Sequence, residues 1–69
     1  MSEAVRLVEK YLREINSYPF KIQSVINREN DYEFTISELN AINEKIEYKL
    51  YVDKKYNGKI YNAFDEVIN

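Results

Sequence analysis

No cysteine, histidine or tryptophan occurs among the 69 residues, and there is one glycine and one proline. Without cysteine, no disulfide braces the fold and no thiolate is available as nucleophile or ligand. Without histidine, the usual neutral-pH acid/base and the usual transition-metal ligand are both missing, which excludes a structural zinc site. One glycine cannot build a phosphate-cradling loop in the usual way, and no Walker loop, dinucleotide fingerprint or Gly-x-Ser-x-Gly is present. No apolar run is long enough to cross a bilayer, and no signal-peptide core follows Met1, so the cytoplasm is the expected compartment.

Few loop-forming residues imply short polar links. A chain of this length makes one small domain over residues 1–69, and it buries only ~60% of the surface its unfolded form exposes. Good packing or self-association must then stabilise it.

What is plentiful is tyrosine (seven), with three phenylalanines beside it. A tyrosine ring can be buried while its hydroxyl reaches water, which suits a thin fold. Abundant Asn, Lys, Glu, Ile and Tyr fit an AT-rich genome, such as that of a low-GC bacterium or its phage. The formal charge is −2, unevenly placed. Residues 1–28 sum to +2, residues 29–47 to −5 and residues 48–69 to +1. The middle segment is an acidic band of Glu29, Asp31, Glu33, Glu38, Glu44 and Glu47, with Lys45 as its one cation.

Hydrophobic period assigns the elements. Ala4, Val5, Val8, Tyr11, Leu12 and Ile15 recur every three or four residues, which predicts a helix over 3–16. Ser2 is placed to cap it and Glu3 suits its first turn. Asn16-Ser17 ends the helix, and Tyr18 before Pro19 is held extended. Glu9–Arg13 and Lys10–Glu14 have i,i+4 spacing. A first strand is expected at about 20–27, with Phe20, Ile22 and Ile26 inward, Ser24 and Val25 blurring the alternation, and Val25 on the wet side. Arg28–Asp31 is a polar turn. Tyr32, Phe34 and Ile36 alternate with Glu33, Thr35 and Ser37 in a second strand. Residues 38–44 read as a loop with one helical turn. Ile46, Tyr48, Leu50 and Val52 alternate strictly with Glu47, Lys49, Tyr51 and Asp53 in a third strand.

Asn57-Gly58 then reverses the chain, in one of two registers. A two-residue turn pairs Tyr56 with Lys59 and Val52 with Ala63, which sends Ile60 and Phe64 to the wet face. A three-residue turn with Gly58 left-handed pairs Lys55 with Lys59 and returns both side chains to the core face. Burying two large apolar groups contributes several kcal/mol, against tenths for an exposed lysine pair, so the bulged register is favoured. Residues 62–69 continue as strand or begin a short helix capped by Asn62. No internal repeat is apparent. The fold class expected is α+β: an N-terminal helix on one face of a three- to four-stranded antiparallel meander, with a short C-terminal helix as an option.

The residue types present favour binding over catalysis. Acid pairs such as Asp65-Glu66 or Glu29/Asp31 read as solvated surface charge, and no cofactor or metal is implied. The acidic band, with Tyr51 on the wet side of its strand, suits a protein partner carrying positive charge, in an interaction or inhibitor module. An exposed aromatic sheet face also suits a homodimer. The alternative is single-stranded nucleic acid bound at the hairpin tip. There Lys49, Lys54, Lys55 and Lys59 would meet phosphates while Tyr56 and Tyr61 stack on bases. Lysines on strand edges also block aggregation.

Overall fold

The computed structural model describes residues 2–15, 19–55 and 58–69, without the side chain of Ser2. The expected Ser2 cap, the Asn16–Tyr18 helix stop and the Tyr56-Asn57 part of the hairpin turn lie outside the described residues. Helix α1 (Ser2–Ile15) is followed by β1 (Phe20–Asn27), β2 (Asp31–Leu39), β3 (Lys45–Asp53) and β4 (Ile60–Tyr61). The four strands form one antiparallel sheet in the order β1-β2-β3-β4. This is the expected α+β meander, and no helix follows β4.

The amphipathic stripe of α1 decides where the core lies. Ala4, Val8 and Leu12 are buried against Phe34, Ile36, Leu50, Val52 and Ile60. On the helix's outer side the Arg13–Glu9 salt bridge at 3.1 Å is one of the two i,i+4 pairs the sequence predicts. The sheet face under the helix is built in rows across the strands: Asn27–Tyr32–Val52–Ile60, Val25–Phe34–Leu50, Ile22–Ile36–Tyr48 and Phe20–Glu38–Ile46. Burial is deepest in the middle rows and fails at the last, where Ile46 is 41% exposed. The end of the helix flanks Tyr48, and of the outermost row Phe20 still packs against the core while Ile46 does not.

Three local expectations are corrected. First, the β1–β2 register shifts between Ile22 and Ser24. This bulge takes up one residue, so Val25 turns inward onto Phe34 and Ile26 turns outward opposite Glu33. The blurred alternation at Ser24-Val25 was the trace of that extra residue, since a bulge reverses face parity.

Second, the last hairpin takes neither predicted register. Val52 pairs with Ile60 and Tyr51 with Tyr61. The three-residue turn would set Val52 opposite Asn62, so the partner of Val52 is shifted by two residues. Because the shift is even, Ile60 keeps its core position and is fully buried. Gly58 is left-handed, φ 85°, as expected. Phe64 does not follow Ile60 inward; it is 83% exposed. The chain leaves the sheet after Tyr61 and turns back, so that Tyr61 bridges Val67 and Ile68 N–H donates to the Ile60 carbonyl at 2.9 Å. Ile68 packs against the core where Phe64 was expected to. The Asn69 amide closes this corner, accepting from Ile60 N–H at 2.7 Å and donating to the Gly58 carbonyl.

Third, residues 38–44 hold no helical turn. β2 continues to Leu39, and Asn40–Glu44 is a tight turn into β3. That turn has a twin. Asn40 Oδ1 accepts from the N–H groups of Ile42 and Glu44, while Asn40 Nδ2 donates to Glu44 Oε1. Asn62 Oδ1 accepts from Phe64 and Glu66 N–H, and Asn62 Nδ2 donates to Glu66 Oε1. The backbone bonds also match: Asn40 N–H to Glu44 C=O and Asn62 N–H to Glu66 C=O, both at 3.0 Å. The fourth residue is left-handed in each, Asn43 at φ 63° and Asp65 at φ 62°. The sequences are Asn-Ala-Ile-Asn-Glu and Asn-Ala-Phe-Asp-Glu. A short repeat is therefore present, and its chemistry explains it. Asn at the first place mimics a backbone turn, and Asn or Asp tolerates the left-handed fourth.

Two stability changes follow. Phe34→Ala removes the largest fully buried side chain and should cost about 3–5 kcal/mol, enough to unfold a domain of this size. Asn40→Ala and Asn62→Ala should each cost about 1–2 kcal/mol through lost turn hydrogen bonds. Urea unfolding monitored by circular dichroism measures both. Equal stability of Asn62→Ala and the parent would show that the second turn contributes nothing to folding.

Candidate functional site

Alternation that buries one face of the sheet leaves the other uncovered. On this open face a row runs across all four strands: Ile26, Glu33, Tyr51 and Tyr61. Ser24–Thr35–Lys49 and Lys21–Ser37–Glu47 lie to one side, and the facing pair Asp31–Asp53 to the other.

Arg28, which sequence reading passed over as a turn residue, organises this face. Its Nε lies 2.8 Å from Asp31 Oδ1 and its Nη1 3.1 Å from Glu33 Oε2. The first contact is ionic without an aligned hydrogen bond, since buried Asp31 Oδ1 has no hydrogen-bond donor. The guanidinium also sits 5.3 Å from the centroid of the Tyr51 ring. Lys49 closes the network from the other side, 3.8 Å from Glu33 Oε1 and 2.6 Å from Thr35 Oγ1. Tyr51 is held between these charges. Partial burial raises its phenol pKa above 10.0; the hydrogen bond to Glu33 and that carboxylate's charge add to the rise, and Arg28 opposes it. Below the raised pKa the Tyr51 hydroxyl is the donor in its bond to Glu33.

The six carboxylates of the acidic band do not share one surface. Asp31, Glu33 and Glu47 lie on the open face. Asp31 and Glu33 are matched by Arg28 and Lys49, and Glu47 lies 3.5 Å from Lys45. Glu38 is on the helix side, accepting from Tyr48 OH at 3.0 Å. Glu44 belongs to the β2–β3 turn, and Glu29 to the β1–β2 turn at the opposite end. Contiguity in sequence was misleading because successive strand residues face opposite ways.

The lysine–tyrosine group is divided as well. Lys49 is engaged on the open face. Lys54 donates to Asn27 Oδ1 and the Arg28 carbonyl, and lies 4.9 Å from the centroid of Tyr32, fastening β3 to the β1–β2 turn. Lys55 and Lys59 are exposed at the tip, and Tyr61 is half-buried in the open-face row. Tyr56 lies outside the described residues.

Comparison with protein-family models, curated proteins and solved structures finds no match. The surface itself must carry the functional argument.

One further feature went unseen in the sequence. Exposed apolar side chains collect at the end of the molecule where β3 begins. Ile42 (74% exposed) tips the β2–β3 turn, with Leu39 and Ile46 beside it. Phe64 lines a groove of about 300 Å³ with Tyr11, Ile15, Tyr48, Ala63 and Ile68. At the other end a cleft of about 520 Å³ lies between α1 and β3, where Arg6, Lys10 and Lys54 are offset by Glu3 and Asp53. Among the described residues no group of three acidic side chains is placed to hold a metal ion, and no helix is long and apolar enough to cross a membrane.

The network makes a titration testable. The raised Tyr51 pKa means that its bond to Glu33 contributes stability below pH 10.0 and is lost as pH rises through the raised value. Glu33→Gln should bring the midpoint back toward 10, read as the parent-minus-Tyr51→Phe difference in phenolate absorbance. Arg28→Ala should destabilise by about 1 kcal/mol, because its partners are partly solvated. An unchanged Tyr51 midpoint in Glu33→Gln would remove Glu33 as a cause.

Proposed function

We propose that the chain is a small non-catalytic protein-interaction module acting in the cytoplasm, with the open sheet face as its principal surface. The observation that carries this reading is the uncovered row Ile26–Glu33–Tyr51–Tyr61. Asp31, Glu33 and Glu47 are matched by cations, so a partner meets aromatic and aliphatic area edged by Asp53 and Asp65 beside Tyr51 and Tyr61. Tyrosine offers large contact area at low entropy cost, and desolvating charges that are already paired costs less than desolvating free ones. A basic partner drawn by a continuous acidic band finds less support, because Asp31, Glu33 and Glu47 each have a cation within 4 Å. A second copy of the chain is the other protein occupant this face accepts.

The nucleic-acid reading keeps one observation in its favour, the exposed Lys55 and Lys59 at the tip. Lys49 and Lys54 are held in internal contacts, which reduces the charge on offer.

The deciding experiment is affinity capture from cells of the source organism, with the parent chain and Tyr51→Ser/Tyr61→Ser as baits and light scattering on both. A protein retained by the parent and depleted at least tenfold by the double variant is expected. Equal recovery by both baits would reject the sheet face. A dimer dissociated by the same variant would make the second copy the occupant. Labelled oligothymidine should not bind at low salt. Salt-sensitive binding that disappears in Lys54→Ala/Lys55→Ala/Lys59→Ala would replace the protein-interaction reading.

A further inference from the structure

Along an antiparallel strand the backbone hydrogen-bonding groups point alternately to its two sides. Lys54 N–H donates to the Asn30 carbonyl and Asn40 N–H to the Glu44 carbonyl, one bond at each end of the β2–β3 ladder. Counting inward from either end gives the same result. The backbone groups of Ile46, Tyr48, Leu50 and Val52 meet β2, and those of Lys45, Glu47, Lys49 and Tyr51 point away from it. On that far side β4 is two residues long and pairs only with Tyr51 and Val52. The chain then bends into the Asn62–Glu66 turn. Among the described residues, no strand pairs with Lys45, Glu47 or Lys49 on that side, and no other hydrogen bond reaches their backbone.

An apolar groove opens at the same edge. It measures about 300 Å³, and Tyr11, Ile15, Tyr48, Leu50 and Ile68 line it. Tyr48 and Leu50 face the helix and Lys49 faces the open side, so a groove that also reaches Lys49 lies at the margin of β3. Next along the helix-side face of β3, Ile46 is 41% exposed. We infer that the free edge of β3 binds an extended segment of a partner protein as an added antiparallel strand. Residues opposite Glu47 and Lys49 exchange backbone hydrogen bonds with them, and apolar side chains opposite Ile46 and Tyr48 cover Ile46 and fill the groove. Across from the open-face side chains Lys45, Glu47 and Lys49, a segment carrying acid, base and acid is complementary. A second copy is not. Two-fold pairing of this edge with itself, in the register that engages all three residues, sets Glu47 against its own counterpart and Lys45 against Lys49. Pairing it with the outer edge of β1 in a second copy repeats without closing and makes a fibre. The inference rests on the protein-interaction reading and concerns a strand edge, not the Tyr51–Tyr61 row.

The probe is a labelled, end-blocked peptide containing Glu-Leu-Lys-Leu-Glu, compared with one of the same composition whose leucines are adjacent. Anisotropy should show the alternating peptide binding at least tenfold more tightly. N-methylation of its lysine amide removes a donor that faces β3 and should abolish binding. N-methylation of a leucine amide, which faces away, should leave binding unchanged. Amide hydrogen exchange at Glu47 and Lys49 should slow in the complex. Ile15→Ser and Ile46→Ser should each weaken binding about tenfold, or about 1.4 kcal/mol. Their side chains are 54% and 41% exposed, so circular dichroism should not change. Lys55→Ala/Lys59→Ala should bind as the parent does. Equal binding of the two peptides, tolerance of the lysine N-methyl group, or indifference to Ile15→Ser and Ile46→Ser would each overturn the inference. So would fibres or a dimer that Ile46→Ser disperses, since either puts a second copy on this edge. Failure of the alternating peptide to bind, with capture through Tyr51 and Tyr61 intact, would reject the edge alone. Peptide binding with equal recovery by both baits would reject the sheet face and keep the edge.

Discussion

The contact between one helical stripe and strands β2, β3 and β4 is the constraint on which the structure depends. Ala4, Val8 and Leu12 meet Phe34, Ile36, Leu50, Val52 and Ile60, and these eight are the buried apolar residues among those described. Hydrophobic burial scales with area, so a core this small leaves little margin. The helix also stops short of the sheet end where β3 begins, and Ile46 there is exposed. Everything beyond its reach, including the open face and the outer row at Ile46, meets solvent by geometry rather than by composition.

Polar contacts then take over tasks that a larger core would perform by packing. Arg28 bridges Asp31 and Glu33 beneath Tyr51, and Lys54 ties the end of β3 to the β1–β2 turn. Asn40, Asn62 and Asn69 shape three corners with side-chain amides. In a chain with one glycine and one proline, asparagine and aspartate are the remaining residues that both mimic backbone hydrogen bonding and tolerate a left-handed backbone. Turns stiffened from within can carry Ile42 and Phe64 outward without support from the core. Cations bound internally are correspondingly less available to an outside phosphate.

Much of the framework was legible in the residues. The 3.6-residue stripe located α1, and strict alternation in β3 identified Tyr48, Leu50 and Val52 as inward. The wish to bury Ile60 picked the right face for it although the register was misjudged. Face parity needs only an even or odd count, whereas register needs the actual path of the loop. The candidate surfaces were legible only as residue types. Tyr51 on the open face was read from alternation alone. The acidic band was a run along the chain that strand geometry distributes over two faces and both ends. The repeat in the two turns stood in plain view as Asn-Ala-Ile-Asn-Glu and Asn-Ala-Phe-Asp-Glu, but five residues carry weight only once their hydrogen bonds are seen to match.

Sequence by itself determined the local events: helix, strands, a left-handed Gly58, and the absence of cysteine and histidine. These follow from period and covalent chemistry, which act over a few neighbouring residues. Tertiary structure alone decided what those events expose. The bulge after Ile22 exchanged Val25 and Ile26, the shifted hairpin register brought Ile68 in and left Phe64 outside, and strand pairing placed Arg28 against Tyr51. Each outcome depends on a residue count between distant partners, and one residue more or less reverses which side chain meets water.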